Sequence, residues 1–224
     1  VGSEMCIRDR IKNLISFLIS AIKIIFLLGF LIGIHETGHF LIAKLCKVRV
    51  NEFAIGFGPV IWKKQGKETK YELRLIPLGG FVNMEGEAEQ SEKEGSFTKA
   101  SIPRRIAIVV AGALVNIIFA IIVYFILAMT VRGNLTNAVV GNRVLDADNF
   151  ENRLYFASYN TKEFMLSIAE SVKQLFTGKV SSAELVGPVG ISEVVAKTNG
   201  FREFIYILSA ISVSYTHLTL PTNS

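Results

Sequence analysis

Apolar residues crowd into two long blocks, and the stretches between them change period. Residues 14–34 are 21 positions of Leu, Ile, Phe, Ala, Gly and Ser save for one charge, Lys23. At 1.5 Å per residue that run crosses the roughly 30 Å hydrocarbon core of a bilayer. Its helical pattern continues to about Leu45. A secretory signal peptide would have a shorter apolar core and small residues at a cleavage site, and neither is present. The second block, residues 106–131, holds no charge and is flanked by Arg104, Arg105 and Arg132, which predicts a second spanning helix.

Between the blocks the chain reads as extended. Tyr71, Leu73 and Leu75 alternate with Glu72 and Arg74, the period of a strand. VNEFAIGFGPVIW and TKYELRLIPLGGFVNM flank KKQGKE, whose Gly66 supplies a turn. A β-hairpin is predicted, followed by an acidic, polar loop, GEAEQSEKEGS, of mobile composition. After the second block, GNRVLDADNFENR within 132–162 reads as a short loop. Residues 161–178 place Phe164, Ile168, Val172, Leu175 and Phe176 at helical spacing, an amphipathic surface helix. GPVGI at 187–191 is a Gly/Pro bend. Residues 204–213 are apolar but too short to span, and read as the opening half of a third membrane helix.

The two ends break the pattern. VGSEMCIRDR and YTHLTLPTNS resemble translated sequencing-adaptor strings, and at Tyr215 an apolar helical pattern gives way to a Thr/Pro-rich stretch without turn logic. Residues 1–10 and 215–224 are therefore set apart from fold reasoning, and the natural protein is expected to continue past 214.

Half of the 224 residues are hydrophobic, too many for a typical soluble domain of this size. Net charge is +5, and the excess is local. Twelve Lys/Arg fall in residues 44–105 against four in 132–162, which places the hairpin segment in the cytoplasm by the positive-inside rule. No basic stripe with interleaved aromatics is present, so nucleic acid is not an expected partner. Cys6 and Cys46 form no CxxC pair, which argues against a disulfide framework. The fold class expected is an α-helical polytopic membrane protein with a small β-hairpin at the cytoplasmic membrane surface. Its parts are a first helix over 11–46, the hairpin and loop over 47–105, a second helix over 106–131, an outer segment over 132–200 and the start of a third helix over 201–214.

The chemistry lies in GIHETGHF. His35 and His39, at i and i+4, share one helix face about 5–6 Å apart between Cβ atoms. Both imidazoles can then reach one zinc ion at about 2.0–2.1 Å, and Glu36 can act as general base on water activated there. The chain has three histidines. The third, His217, lies in the tail set apart above. The bland alternative, two buried histidines satisfied by polar neighbours, strands several polar atoms at membrane depth at about 1–3 kcal/mol each. Cys46 lies two turns beyond His39 and reads as an inert thiol rather than a ligand. Lys23 reads as a snorkelling or protein-facing residue.

GIHETGHF, EFAIGFGP, YELRLIPLGGFVNMEGE, RRIAIVVAGALVN and LFTGKVSSAELVGPVGI follow one another in an order that resembles the site-2 protease family of intramembrane zinc metalloproteases, of the bacterial regulator-of-sigma-E protease type. The resemblance covers most of residues 14–214. It implies that His35 and His39 bind zinc, that Glu36 is the catalytic base, and that a peptide bond in or near a substrate's transmembrane helix is hydrolysed in the bacterial cytoplasmic membrane. It implies that membrane proteins are the partners, captured as an added strand on the hairpin edge at 50–76; a plain structural ribbon is the alternative for that hairpin. It also implies peptide contacts for Leu78, Gly79 and Gly80 of the IPLGGFV block. Asn116 either faces the site or substrate or makes a packing hydrogen bond.

Three departures qualify the resemblance. The family's third zinc ligand, an aspartate of an LDG motif, has no counterpart: Asp9 lies in the start set apart, and Asp146 and Asp148 fall in the outer segment. Two protein ligands are fewer than the usual three of catalytic zinc, so these 224 residues are expected to bind zinc weakly and not to turn over, while the complete gene product is an active protease. Residues 132–162 are too few for the PDZ domain that such members carry. Ala113 stands where the family often has proline. The reading from another class is a non-catalytic membrane adaptor that holds clients through the hairpin edge; a transporter would need matched broken helices, which are absent.

Overall fold

A computed structural model describes residues 2–87, 91–177, 195, 198 and 200–218. Among them the chain is mostly helical, with one substantial antiparallel sheet. Chain contacts divide it into two units, one holding residues 1–116 and the other chiefly residues 117–191 and 198–214.

In the first unit, α1 is Gly2–Leu45, an apolar run with no proline to interrupt it. It starts at Gly2 and so includes the residues that composition set apart. Its end is sharply defined. Lys47 takes a left-handed φ of 60°, and the amides of Val48 and Lys47 donate to the carbonyls of Ala43 (2.9 Å) and Lys44 (3.1 Å). These are the two bonds of a Schellman motif. The chain thereby turns from helix into β1, Val50–Gln65, within five residues.

β1 pairs antiparallel with β2, Lys70–Met84, as the alternation predicts. The pairing is more folded than a simple hairpin, and within 50–76 it leaves residues 60–65 matched on one side only. Residues Glu52, Phe53, Ala54 and Ile55 are each matched twice: with Asn83, Val82, Phe81 and Gly80, and again with Lys70, Tyr71, Glu72 and Leu73. The first half of β1 is therefore flanked on both sides by stretches of β2. Gly56 and Gly58 (φ 91° and 82°) and Gly79 (φ 125°) permit the bends, because a side chain there would strain the backbone. The fold-over is clamped by charge. Glu72 is buried, ion-paired with Lys70 and, at 2.7 Å, with Arg74, which also reaches Glu52 at 3.3 Å. The Lys70 hydrogen bond, followed by that from Arg74, holds the Glu72 carboxyl down at about 2.

α2 is Ile102–Met129, with Pro103 in its first turn, where a missing amide is tolerated. Ala43, Val48, Val50, Met84 and Ile108 form one core, with Phe40, Cys46, Val82 and Phe97 packed on it. That core ties the end of α1, both strands and α2 together. The acidic loop is also anchored in its described part: Glu85 accepts from Ser91 (2.8 Å) and Asn51 (2.9 Å), and Arg49 donates to the Gly95 carbonyl (2.8 Å).

The second unit corrects the reading of GNRVLDADNFENR as a short loop. It carries a two-residue ribbon, β3 Val139–Val140 with β4 Arg143–Val144, and then α3, Phe150–Phe176. The helix begins eleven residues before the apolar periodicity because Asn149 caps it, its Oδ1 accepting from the Asn152 amide at 2.8 Å, a role that asparagine fills well. Leu135, Val140 and Leu145 form the core with Tyr155, Phe156 and Tyr159. α4 is Phe201–Leu218, continuing past Tyr215. Arg202 donates to the carbonyls of Thr130 (2.6 Å) and Leu127, capping the end of α2. The GPVGI bend lies outside the described residues.

Candidate metal centre

His35, Glu36 and His39, within little more than one turn of α1, set the centre. His35, one turn before His39, is 6 % exposed. The two rings stand edge to face, 78° apart, with their Nε2 atoms 3.1 Å from each other. Two nitrogens sharing a tetrahedral zinc at about 2.0–2.1 Å are about 3.3 Å apart, so the rings fit such an ion without rearrangement. The donor chemistry agrees. His39 Nδ1 lies 2.7 Å from the Ile108 carbonyl, which can only accept. The proton therefore sits on Nδ1, and the Nε2 lone pair is left for a metal.

α2 closes one flank with bare backbone. A Cβ on Gly112 would lie 2.6 Å from the Nε2 atoms of both histidines. A Cβ on Gly38 would lie 2.8 Å from the Ala111 carbonyl oxygen and 3.0 Å from the Gly112 Cα. The two helices therefore touch main chain to main chain at the centre. Asn116, one turn past Gly112 and fully buried, brings its side-chain amide to 3.4 Å from His35 Nδ1.

The other flank opens into a cavity of about 350 Å³ lined by Glu36, His39, Gly80, Phe81, Met84 and Glu87 among others. Glu36 thus faces the same space as His39. β2 runs close over it: a Cβ on Gly80 would meet Glu36 Cγ at 3.1 Å and the Ala54 carbonyl oxygen at 2.8 Å. Of the peptide-contact candidates, Gly80 lines the cavity and Leu78 and Gly79 do not; Gly79 packs against the Phe57 ring. Asn116 meets the His35 ring.

Glu87 was hidden in the acidic loop. Its carboxylate accepts from the Met84 amide at 3.4 Å, and burial pushes its carboxyl up from the usual range. Its position three residues past β2 was the only signal. Among the described residues no three His, Cys, Asp or Glu side chains cluster as a metal site. Asp146 and Asp148 are engaged in the second unit, with Asn152 (2.8 Å) and Arg153 (2.7 Å). Cys46 is a half-buried free thiol against the core.

Residues 23–220 match the model of peptidase family M50. The Protease RseP of Yersinia pestis is 31 % identical over 202 residues, covering 85 % of this chain and 44 % of that protein. The Regulator of sigma-E protease RseP of Escherichia coli K12 is 42 % identical over 118 residues, 50 % of this chain and 26 % of its own. A Clostridium acetobutylicum protein provisionally named a zinc metalloprotease is 46 % identical over 102 residues, 46 % of this chain and 30 % of its own. The chain spans less than half the length of each of these relatives.

Proposed function

The chain belongs to peptidase family M50, and on that premise we propose that it is the zinc-binding part of an intramembrane endopeptidase that cuts membrane-protein substrates in or near their transmembrane helices. The observation that carries this reading is the convergence of the His35 and His39 Nε2 atoms, 3.1 Å apart, beside a cavity that Glu36 shares. The membrane setting is supported by two helices long and apolar enough to cross a bilayer, over Arg10–Leu45 and Ile102–Met129. It is supported further by the exposed Leu14, Phe17, Ile22 and Phe26 of α1 and Ile118, Ile122 and Ile126 of α2. The excess of Lys/Arg over 44–105 puts the sheet on the cytoplasmic side of a multi-pass bacterial membrane protein.

His35 and His39 would hold the zinc. When bound, the ion supplies Lewis acidity toward water and a peptide carbonyl. Glu36 takes a proton from the attacking water at its carboxylate and returns it to the departing amine. The Ile108 carbonyl holds the proton of His39 on Nδ1. The open edge of β2 beside the cavity, residues 80–84, takes substrate as an added strand, since the facing half of β1 is already flanked on both sides. Gly80 lets that strand approach Glu36 closely. A bare backbone at this point suits a peptide substrate, whose main chain is the only feature common to all clients.

The test uses the complete gene product in detergent with a model transmembrane substrate. Zinc at one equivalent and cleavage are expected in the wild type. Glu36→Gln is expected to keep the zinc and lose cleavage. The paired change His35→Ala, His39→Ala is expected to lose both. Cleavage that survives the paired change would sink the reading.

A further inference from the structure

α2 presents three consecutive turns to the histidine pair, at Ile108, Gly112 and Asn116. Positions i, i+4 and i+8 lie on one helix face, and each meets the rings differently. The Ile108 carbonyl takes the His39 Nδ1 proton at 2.7 Å. Gly112 leaves room, since a Cβ there would sit 2.6 Å from both Nε2 atoms. Asn116 places its side-chain amide, with Nδ2 toward the ring, 3.4 Å from His35 Nδ1; exchanging the two ends of that amide presents Oδ1 at the same place. The arrangement is a repeat: one partner for each outer ring nitrogen, with a gap between them for what the inner nitrogens hold.

We propose that Asn116 is the positioning residue of the His35 ligand: its side-chain oxygen accepts the His35 Nδ1 proton, as the Ile108 carbonyl does for His39, and so commits Nε2 to zinc. The proposal rests on the zinc reading above. An amide offers a donor and an acceptor end of nearly equal size, so turning the oxygen to the ring needs no extra space. A neutral imidazole carries one N–H. If that proton sits on Nε2, the nitrogen cannot bind metal; a fixed acceptor at Nδ1 removes that alternative. Asn116 is fully buried and His35 nearly so, so water does not compete for the bond. Both groups lie within the same unit of the chain. The rival acceptor is the Gly112 carbonyl, which is also hydrogen-bonded to His35.

The two candidates separate by mutation, because the carbonyl of Gly112 survives any change at 116. Zinc affinity of the complete gene product is measured by competition with a chromophoric chelator. Histidine labelled with ¹⁵N is introduced alongside; with three histidines in these 224 residues, few ring signals compete. Asn116→Ala is expected to weaken zinc binding about 10- to 100-fold, the usual effect of removing such an outer partner, and to move the His35 Nδ1 signal while leaving that of His39 in place. Asn116→Asp keeps an acceptor of the same reach and loses the donor. It is expected to bind zinc at least as tightly as wild type and to hold a Co²⁺ visible spectrum like the wild type's. Should Asn116→Ala not fold, the His35 Nδ1 signal of the Asp variant decides: it moves if residue 116 is the partner, and an unmoved signal assigns the role to Gly112. Wild-type affinity in Asn116→Ala assigns the role to Gly112 and overturns the proposal, as does a tenfold loss in Asn116→Asp. Absence of zinc from the wild type would defeat the zinc reading instead.

Discussion

Adding one methyl group at Gly112 should empty the centre. The Cβ of Gly112→Ala would stand 2.6 Å from each Nε2, where ordinary contact needs about 3.4 Å or more, so roughly 0.8 Å must be found. Neither helix can supply it by moving apart cheaply, because at Gly38 the backbones already meet at 2.8 and 3.0 Å measured from a virtual Cβ. Overpacking of this kind costs about 1–3 kcal/mol. Turning the rings aside is the lower-energy response, and it aims both lone pairs away from their meeting point. Losing half of that convergence should weaken zinc by at least about 100-fold, or about 2.7 kcal/mol. The assay is chelator competition on the complete gene product, with thermal unfolding followed in parallel. Gly33→Ala is the control: it lies on the same helix, and its Cβ would meet only Ile55 Cγ2, at 4.0 Å. There the substitution should leave zinc affinity unchanged and add about 0.5–1 kcal/mol of stability from helix propensity. A Gly112→Ala protein that folds and holds zinc as tightly as the Gly33→Ala protein would refute the reasoning that this glycine exists to make room for the ion.

Acid should loosen the sheet in a defined window. Glu72 has its carboxyl held at about 2 by Lys70 and Arg74, below its ordinary 4.5, so its stabilising effect is present above about 4.5 and is lost as pH falls toward 2. Trp62, the chain's single tryptophan and a β1 residue paired with Leu73, reports the loss by fluorescence, and Glu72→Gln should remove the transition over that range. Glu85, also held at about 2 by Asn51, Ser91 and Lys93, should add a second component of the same sign, seen as a shallower curve in Glu85→Gln. Gly80→Ala should separate binding from cleavage. Its methyl meets the Ala54 carbonyl and Glu36 rather than a histidine, so cleavage should fall about tenfold or more while zinc stoichiometry stays at one, measured by metal analysis alongside peptide turnover.

Hydrophobic period carried α1, α2 and the two strands into view, because long apolar runs and two-residue alternation each have one structural solution. His35, Glu36 and His39 were legible because their spacing is a helix turn. What stayed hidden depended on geometry that period does not encode. The double matching of Glu52–Ile55 follows from left-handed glycines, and a glycine in a strand does not announce which way the chain will bend. α3 begins at Phe150 because one asparagine caps it, and a polar stretch before an apolar one reads as loop until that bond is seen. Gly112 looked like an ordinary small residue of an apolar run. The four-residue spacing of Ile108, Gly112 and Asn116 was available, but nothing in α2 alone says which face meets the histidines. Glu87 was masked by the surrounding acidic composition.

The contact between the α1 and α2 backbones at Gly38 and Gly112 closes one flank of the centre with main chain. If the chain works as proposed, ions, water and client peptide would share the cavity beside Gly80 on the other. Traffic through it must then be sequential. A client seated along the strand traps whatever ion is already inside and turns away any chelator, and an empty protein that captures its client first becomes slow to charge with metal. Order of arrival, rather than affinity alone, would then set how many molecules in a membrane are ready to work.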